Sequence, residues 1–277
     1  MSSIIGLGNC GCTIAKKFEY FPQYAVYSMD AEQRDGSFLH IPEQSHPEAY
    51  ENVDVDFASF LQDVDDEVLM IFAAGGFVAT TSLMALEEIK NKKISVCLIK
   101  SDNRFFPKVR SMHERVIFGV LQEYARSAAI ERIFLVDNSL LPSIVGDAPI
   151  IGFYDKMNEF IFSSINMVNV FKNSKPILST ASEGFKSARI STYGVIDPNT
   201  GKEKLFFKLD KVLEKVYYYT ISEKRLKTDK NLLNQITEQI KNNNPEDIKV
   251  SYSIYSSSYE KDYGYIVANT STIQKYN

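Results

Sequence analysis

The sequence predicts an α/β protein in which a doubly wound parallel-sheet domain is joined by a long helix to a smaller α+β domain. Three observations carry that class. Five short apolar runs alternate with helical patterns over residues 1–150. A long amphipathic pattern then covers residues 152–173 and stops before Lys175-Pro176, since the proline ring disfavours helical backbone in the residue ahead of it. Beyond it the texture changes to short runs rich in Tyr, Val, Ile and Ser. The expected division is 1–150 for the α/β domain, 151–175 for the connecting helix and 176–277 for the α+β domain.

Taken in order, residues 3–7 and 24–29 read as buried parallel strands, because their apolar runs do not alternate cleanly. A helix is expected between them over 13–20. A polar, irregular segment follows from 32 to 56, broken by Gly36, Pro42 and Pro47, and 57–61 reads as a short helix. Residues 68–72 form a central strand ending at Ala73-Ala74-Gly75-Gly76, and 80–90 carries helical spacing through Leu83, Leu86 and Ile89. The pattern repeats with a strand at 94–99, a long helix at 109–129 and a strand at 133–136 that ends at Asp137-Asn138-Ser139. Along the connecting helix, Phe153, Met157, Phe160, Ile161, Ser164, Ile165 and Val168 share one face. In the second half, strands are expected at 191–196, 216–222, 248–255 and 263–269, with helices at 206–215 and 229–241. The run Tyr217-Tyr218-Tyr219 is expected to alternate in and out of its sheet.

Composition sets limits on function. The chain has 277 residues, with 44% hydrophobic and 24% charged, as in an ordinary globular protein with a sizeable core. A net charge of −4 argues against a dedicated nucleic-acid binder. The three cysteines, Cys10, Cys12 and Cys97, are an odd number and lack zinc-ligand spacing, so neither a disulfide framework nor a metal site is expected. No apolar run approaches the length of a membrane span. These features predict a cytoplasmic protein without a membrane partner. His40, His46 and His113 have no partners at ligand spacing and read as surface residues. The basic group Lys224, Arg225, Lys227 and Lys230 reads as a solvated loop.

The chemistry is concentrated at Ile4-Ile5-Gly6-Leu7-Gly8-Asn9-Cys10-Gly11-Cys12-Thr13. A strand running into closely spaced glycines and then a helix offers free N–H groups to a phosphate. The same spacing suits a tight turn and nothing more, or a dinucleotide site with Asp30 as its acidic ribose partner. Cys10 reads as a small buried residue under the turn.

The order of the motifs resembles the tubulin/FtsZ family. Gly8-Asn9-Cys10-Gly11-Cys12 is similar to that family's first phosphate loop, and Met29-Asp30-Ala31-Glu32 to the segment after its second strand. Ala74-Gly75-Gly76-Phe77-Val78-Ala79-Thr80-Thr81 stands in the place of the glycine-rich signature. Ile99-Lys100-Ser101-Asp102-Asn103-Arg104-Phe105-Phe106 resembles the next loop, and Arg110 falls where the family has a phosphate-facing arginine. Leu135-Val136-Asp137-Asn138-Ser139 resembles a later loop, and Lys156-Met157-Asn158-Glu159 the start of the long helix that reads guanine. The resemblance covers nearly the whole chain. It implies a guanine-nucleotide domain at 1–150, GTP or GDP as the cofactor with magnesium as its companion, and head-to-tail self-association into filaments. The nucleotide set it implies is Gly8, Asn9, Cys10, Gly11, Cys12, Asp30, Gly75, Gly76, Thr80, Arg110, Asn138 and Asn158. Bland readings stay open at three of these: Asp30 and Asn158 as helix or turn caps, and Arg110 as a half-solvated helix residue.

The departures concern hydrolysis. In the family, a loop after the long helix presents carboxylates to the next subunit's nucleotide, and here that loop falls at 177–185. The positions that should be Asn, Asp and Asp are Thr180, Ser182 and Phe185, and Glu183 is the one acid available. The signature has also lost glycines to Phe77 and Ala79. Weak or lost GTP hydrolysis follows, with Glu183 the remaining catalytic candidate. A non-polymerising binding partner of another protein is the alternative.

Overall fold

The computed structural model describes residues 2–102, 108–146, 149 and 151–276. Continuous apolar runs become strands covered on both faces, as parallel sheets require. The first unit comprises Met1–Phe162 with Ile273–Asn277. Its elements begin with β1 (Ser2–Leu7), α1 (Gly8–Lys16, continued by a 3-10 turn), β2 (Tyr24–Asp30), β3 (Phe38–His40), α2 (Phe57–Leu61) and β4 (Glu67–Ala73). A 3-10 turn at Phe77–Thr81 leads into α3 (Ser82–Glu88), followed by β5 (Lys93–Lys100), α4 (Lys108–Arg126), β6 (Arg132–Asp137), α5 (Leu141–Val145) and α6 (Phe153–Lys172). The six strands lie in the order β3-β2-β1-β4-β5-β6, all parallel. Chain order reverses at β1, between the β2 side and the β4 side. That is where an open α/β sheet forms its ligand crevice, outside the carboxyl ends of its strands.

Helix α1 starts at Gly8, five residues before the expected start at Thr13. The glycine-rich stretch is therefore the first two turns of the helix and not a loop ahead of it. The polar segment contains β3, too short to show a period. Asp56 caps α2 by accepting from the Ser59 N–H at 2.9 Å.

The second unit, Ser163–Thr272, contains the end of α6, then β7 (Leu178–Ser179), β8 (Ile190–Ile196), β9 (Glu203–Leu205) and β10 (Glu214–Ser222). It continues with α7 (Glu223–Thr228), α8 (Leu232–Asn243), β11 (Lys249–Ser257) and β12 (Tyr263–Thr270). Its mixed sheet has the order β8-β12-β10-β11-β7, with β9 on β8 and only the β10–β11 pair parallel.

Three expectations are corrected here. Residues 206–213 form neither helix nor strand. Phe206, Phe207 and Leu209 are buried from irregular backbone, with the Phe206 N–H on the Tyr193 carbonyl at 2.8 Å and Lys211 at φ 51. Tyr217, Tyr218 and Tyr219 do alternate, yet all three are buried. Tyr217 and Tyr219 join the cluster with Leu232, Ile236 and Ile240 of α8, while Tyr218 stacks on Phe171 of α6 with ring centroids 5.7 Å apart. The basic group is partly helical, and Arg225 is no solvated cation. It pairs with Asp262 at 2.6 Å and Asp229 at 3.2 Å. Among the described residues no helix is long and apolar enough to cross a membrane.

Candidate functional site

The first glycine turn divides its work among three residues. Gly8 sits at φ +69, where glycine is favoured, and faces open space with nothing within 4 Å of a Cβ placed there. Gly6 and Gly11 serve close approach. A Cβ on Gly11 would stand 2.1 Å from the Ile71 carbonyl oxygen of β4, and one on Gly6 would stand 2.7 Å from the Cys12 Cα. Leu7, ahead of α1, makes no side-chain cap, and the first turn carries no acidic residue. The leading N–H groups of α1 thus keep their partial positive charge for an anion.

Cys12 is the buried thiol of the pair; its Sγ lies 3.3 Å from the Gly6 carbonyl oxygen, and burial pushes its pKa up to about 11. Cys10, expected under the turn, is instead half-buried beside α6, with its Sγ 3.8 Å from the Asn158 Oδ1. Burial pushes its thiol up to about 12. The contact brings Asn158 onto the first glycine turn from 148 residues away in sequence.

Asp30 ends β2 and is buried. Its Oδ1 accepts the Ala31 N–H at 2.8 Å, and its Oδ2 is gripped by Arg34. Arg34 also donates to the Asn9 Oδ1 at 3.0 Å, so a cation stands beside the turn. No motif marks Arg34. The one sequence signal is its distance of four residues from Asp30, which carries no meaning in a non-helical segment.

The second turn, Ala74-Gly75-Gly76, is clasped by α4. Arg110 donates from its Nε to the Gly75 carbonyl. One helical turn on, the His113 Nε2 lies 3.4 Å from the Thr80 hydroxyl. His113 is half-buried and not a surface residue, and burial lowers its pKa. Thr80 donates to the Phe77 carbonyl at 2.9 Å. Beneath the turn the fully buried Glu114 accepts the Ser101 N–H on Oε1 at 2.6 Å. A Cβ on Gly75 would stand 2.7 Å from the Ser101 Oγ and 3.0 Å from the Glu114 Oε2, so a larger residue would have to displace those side-chain ends. Asn138 follows β6, placed there by its N–H on the Lys100 carbonyl at 3.0 Å. Of the loop expected after β5, Asn103 to Phe106 lie outside the described residues.

Residues 8–12, Asp30, Gly75, Gly76 and Asn138 thus all lie at the carboxyl ends of parallel strands, and Asn158 reaches the first of these turns. Arg34, His113 and Glu114 add to the set read from the sequence. In the second unit, the candidate Glu183 is exposed and pairs with Lys186 at 3.6 Å. Its carbonyl accepts from Lys249, whose Nζ also lies 5.2 Å from the centre of the Phe185 ring. Thr180 is tied to Tyr252 of β11, with its N–H on that residue's carbonyl at 2.9 Å. Among the described residues no group of three or more His, Cys, Asp or Glu side chains could hold a metal ion. A magnesium ion riding on a nucleotide takes most of its ligands from phosphate and water, so it needs no such cage.

No protein-family model matches this sequence, and no curated protein sequence matches it significantly. Solved structures do. TubZ of Bacillus thuringiensis serovar israelensis, in a GTPγS-form protofilament, matches with a TM-score of 0.73 at 12% identity over 97% of this chain and 86% of its own. CetZ1 from Haloferax volcanii, a GDP-bound monomer, matches with a TM-score of 0.66 at 13% identity, covering 98% and 94%. FtsZ of M. jannaschii, an empty dimer, matches with a TM-score of 0.65 at 10% identity, covering 97% and 87%. At such identities the likeness establishes the fold. The chain has the tubulin/FtsZ fold, as the order of its motifs predicts.

Proposed function

We propose that this chain is a tubulin/FtsZ-like cytoskeletal protein of the cytoplasm that binds GTP or GDP between subunits and assembles head to tail into filaments, with weak or lost GTP hydrolysis. One observation carries the reading. Two glycine turns flank the point where the sheet's chain order reverses, each opening a helical segment, and Asn158 closes on the first of them at 3.8 Å from Cys10.

The residues fit a guanine nucleotide. The uncapped start of α1 offers N–H groups to phosphate oxygens, and Gly8 leaves the approach open. Arg110 supplies positive charge beside the second turn, and Arg34, paired with Asp30, offers its remaining N–H groups beside the first. The Asn158 amide offers both a donor and an acceptor to the guanine edge. A bound nucleotide would bring phosphates facing these N–H groups and Arg110, while Arg34 is already paired with Asp30, and magnesium coming with it would offset more of the charge.

The loop at 177–185 supports self-association without supporting hydrolysis. Ile177 and Phe185 are 62% and 46% exposed, apolar surface that a second copy would cover. Joining this loop to the glycine turns of another copy is a heterologous contact, which propagates into an open filament. TubZ of B. thuringiensis is described in two- and four-stranded filaments. Phosphoryl transfer depends on water positioning and charge placement. Thr180, Ser182 and Phe185 place no carboxylate there, and Glu183 is turned toward Lys186.

The test is the nucleotide that co-purifies, followed by sedimentation with added GTP. Guanine nucleotide together with a GTP-dependent pellet supports the proposal. A guanine nucleotide without any pellet identifies a non-polymerising partner of another protein. A nicotinamide cofactor refutes the reading.

A further inference from the structure

One stripe of α4 joins two features that are far apart in sequence. Glu114, Phe118 and Gln122, spaced four residues apart, are all fully buried. Glu114 underlies the Gly75 turn, as described above. At the other end of the stripe, Gln122 makes two buried bonds to the backbone of Gln274. Its Oε1 accepts the Gln274 N–H at 2.7 Å, and its Nε2 donates to the Gln274 carbonyl at 3.2 Å. Between them the Tyr276 ring packs edge-on against Phe118 with centroids 5.5 Å apart. Two cations face the same ring, Lys100 Nζ at 5.3 Å and Arg115 Cζ at 5.5 Å from its centre. Lys100 precedes Ser101, whose N–H is bound by Glu114. Burial raises the pKa of the Glu114 carboxyl, and the Ser101 N–H and the Tyr276 hydroxyl oppose the rise.

We infer that residues 273–276 act as a strap that positions the Gly75-Gly76 turn, through Tyr276 and Gln122 acting on the Glu114 stripe of α4. Tyr276 and Gln122 are positioning residues in this scheme. The strap holds α4 at the depth at which Glu114, His113 and Arg110 clasp the turn. The Ser101 Oγ and the Glu114 Oε2 lie 2.7 Å and 3.0 Å from where a Gly75 Cβ would stand, so a shift of Glu114 with α4 is felt at the turn. A loosened strap lets α4 shift, and the turn loses its seat. The effect on ligand binding rests on the nucleotide reading proposed above, whereas the effect on the turn does not.

The experiment uses the full nucleotide-free chain and compares amide hydrogen exchange in the parent, Tyr276→Ala, Tyr276→Phe and Gln122→Ala. Exchange at residues 74–79 should quicken about three- to tenfold in Tyr276→Ala and Gln122→Ala, with β10 unchanged. Tyr276→Phe keeps the ring and should give a smaller rise, so the result survives even if one alanine variant does not fold. Unchanged exchange at 74–79 in the folded variants would overturn the inference. In a second arm, GTP affinity should fall about three- to tenfold in Tyr276→Ala while guanosine affinity holds, because the turn serves phosphates and not the base. Faster exchange with unchanged GTP affinity would overturn the link to binding. A parent that binds no guanine nucleotide would refute the proposed function, and the exchange arm would still decide whether the strap exists.

Discussion

Gly11→Ala separates a glycine that packs from one that only bends the chain. In an isolated helix the exchange would favour helix by about 1 kcal/mol. Here the new Cβ would stand 2.1 Å from the Ile71 carbonyl oxygen, 3.0 Å from its carbon and 3.2 Å from the Phe72 Cα. Carbon and oxygen rest at about 3.3–3.6 Å, so α1 must withdraw from β4 by more than about 1 Å. The obstructing atoms are backbone of a central strand and cannot rotate away. Withdrawal would also lift Ile14 and Ala15, both fully buried, from the sheet. Overpacking of this kind costs about 1–3 kcal/mol, and the upper end applies where nothing flexible can yield. After the helix-propensity gain, about 2 kcal/mol of destabilisation remains. For a unit of this size that is about 4–8 °C in Tm. The assay is thermal unfolding of the nucleotide-free chain by circular dichroism, with Gly8→Asn as the control. Gly8 needs only its left-handed backbone, which asparagine tolerates, so the control should lose less. A Gly11→Ala chain melting within about 1 °C of the parent would refute the packing argument.

The remaining predictions concern the nucleotide and the filament. Asn158→Ala should weaken GTP binding about ten- to a hundredfold through loss of its hydrogen bonds to the base, and an unchanged preference for GTP over ATP would refute the assignment. Phe185→Glu should place an unpaired carboxylate at the subunit contact and weaken assembly, so normal polymer by light scattering would remove that loop from the interface. Phosphate release above the assembly concentration should be slow, since lost water positioning is worth about 10²–10⁴ in rate. If Glu183 supplies the remaining turnover, Glu183→Gln should abolish it. A brisk parental rate that survives Glu183→Gln would mean the catalytic loop lies elsewhere.

What the sequence revealed follows the physics of burial. Residues 68–72 and 94–99 were legible as parallel strands because both faces are covered, which leaves an unbroken apolar run. The long helix was legible from its face, where Met157, Ile161, Ile165 and Val168 are all buried. The start of α1 was not, because glycine propensity points to a loop while the seat of Gly11 on Ile71 holds it in a helix. Phe206, Phe207 and Leu209 imitated a helical stripe, since apolar spacing over so few residues cannot separate helix from irregular backbone. At the site, the glycine turns and Asn158 belong to motifs that can be read from their order along the chain. Arg34, His113 and Glu114 act through folded proximity alone, with Glu114 meeting Gly75 from 39 residues away in the chain. Arg225 looked like one more surface charge because its partners Asp229 and Asp262 are separated in sequence.

The state of the thiols has a practical outcome for following assembly. Burial raises the pKa of Cys10, Cys12 and Cys97 alike, to about 12 and about 11 for the first two. At pH 8, fewer than about one in a thousand of either of those two is the reactive thiolate. These three are all the cysteines in the chain. A maleimide dye should therefore pass over the native protein, and a single cysteine placed at the exposed Tyr20, as Tyr20→Cys, should take one dye per chain. Labelled and unlabelled copies could then be mixed, and any filament watched one subunit at a time, without removing a thiol beside Asn158.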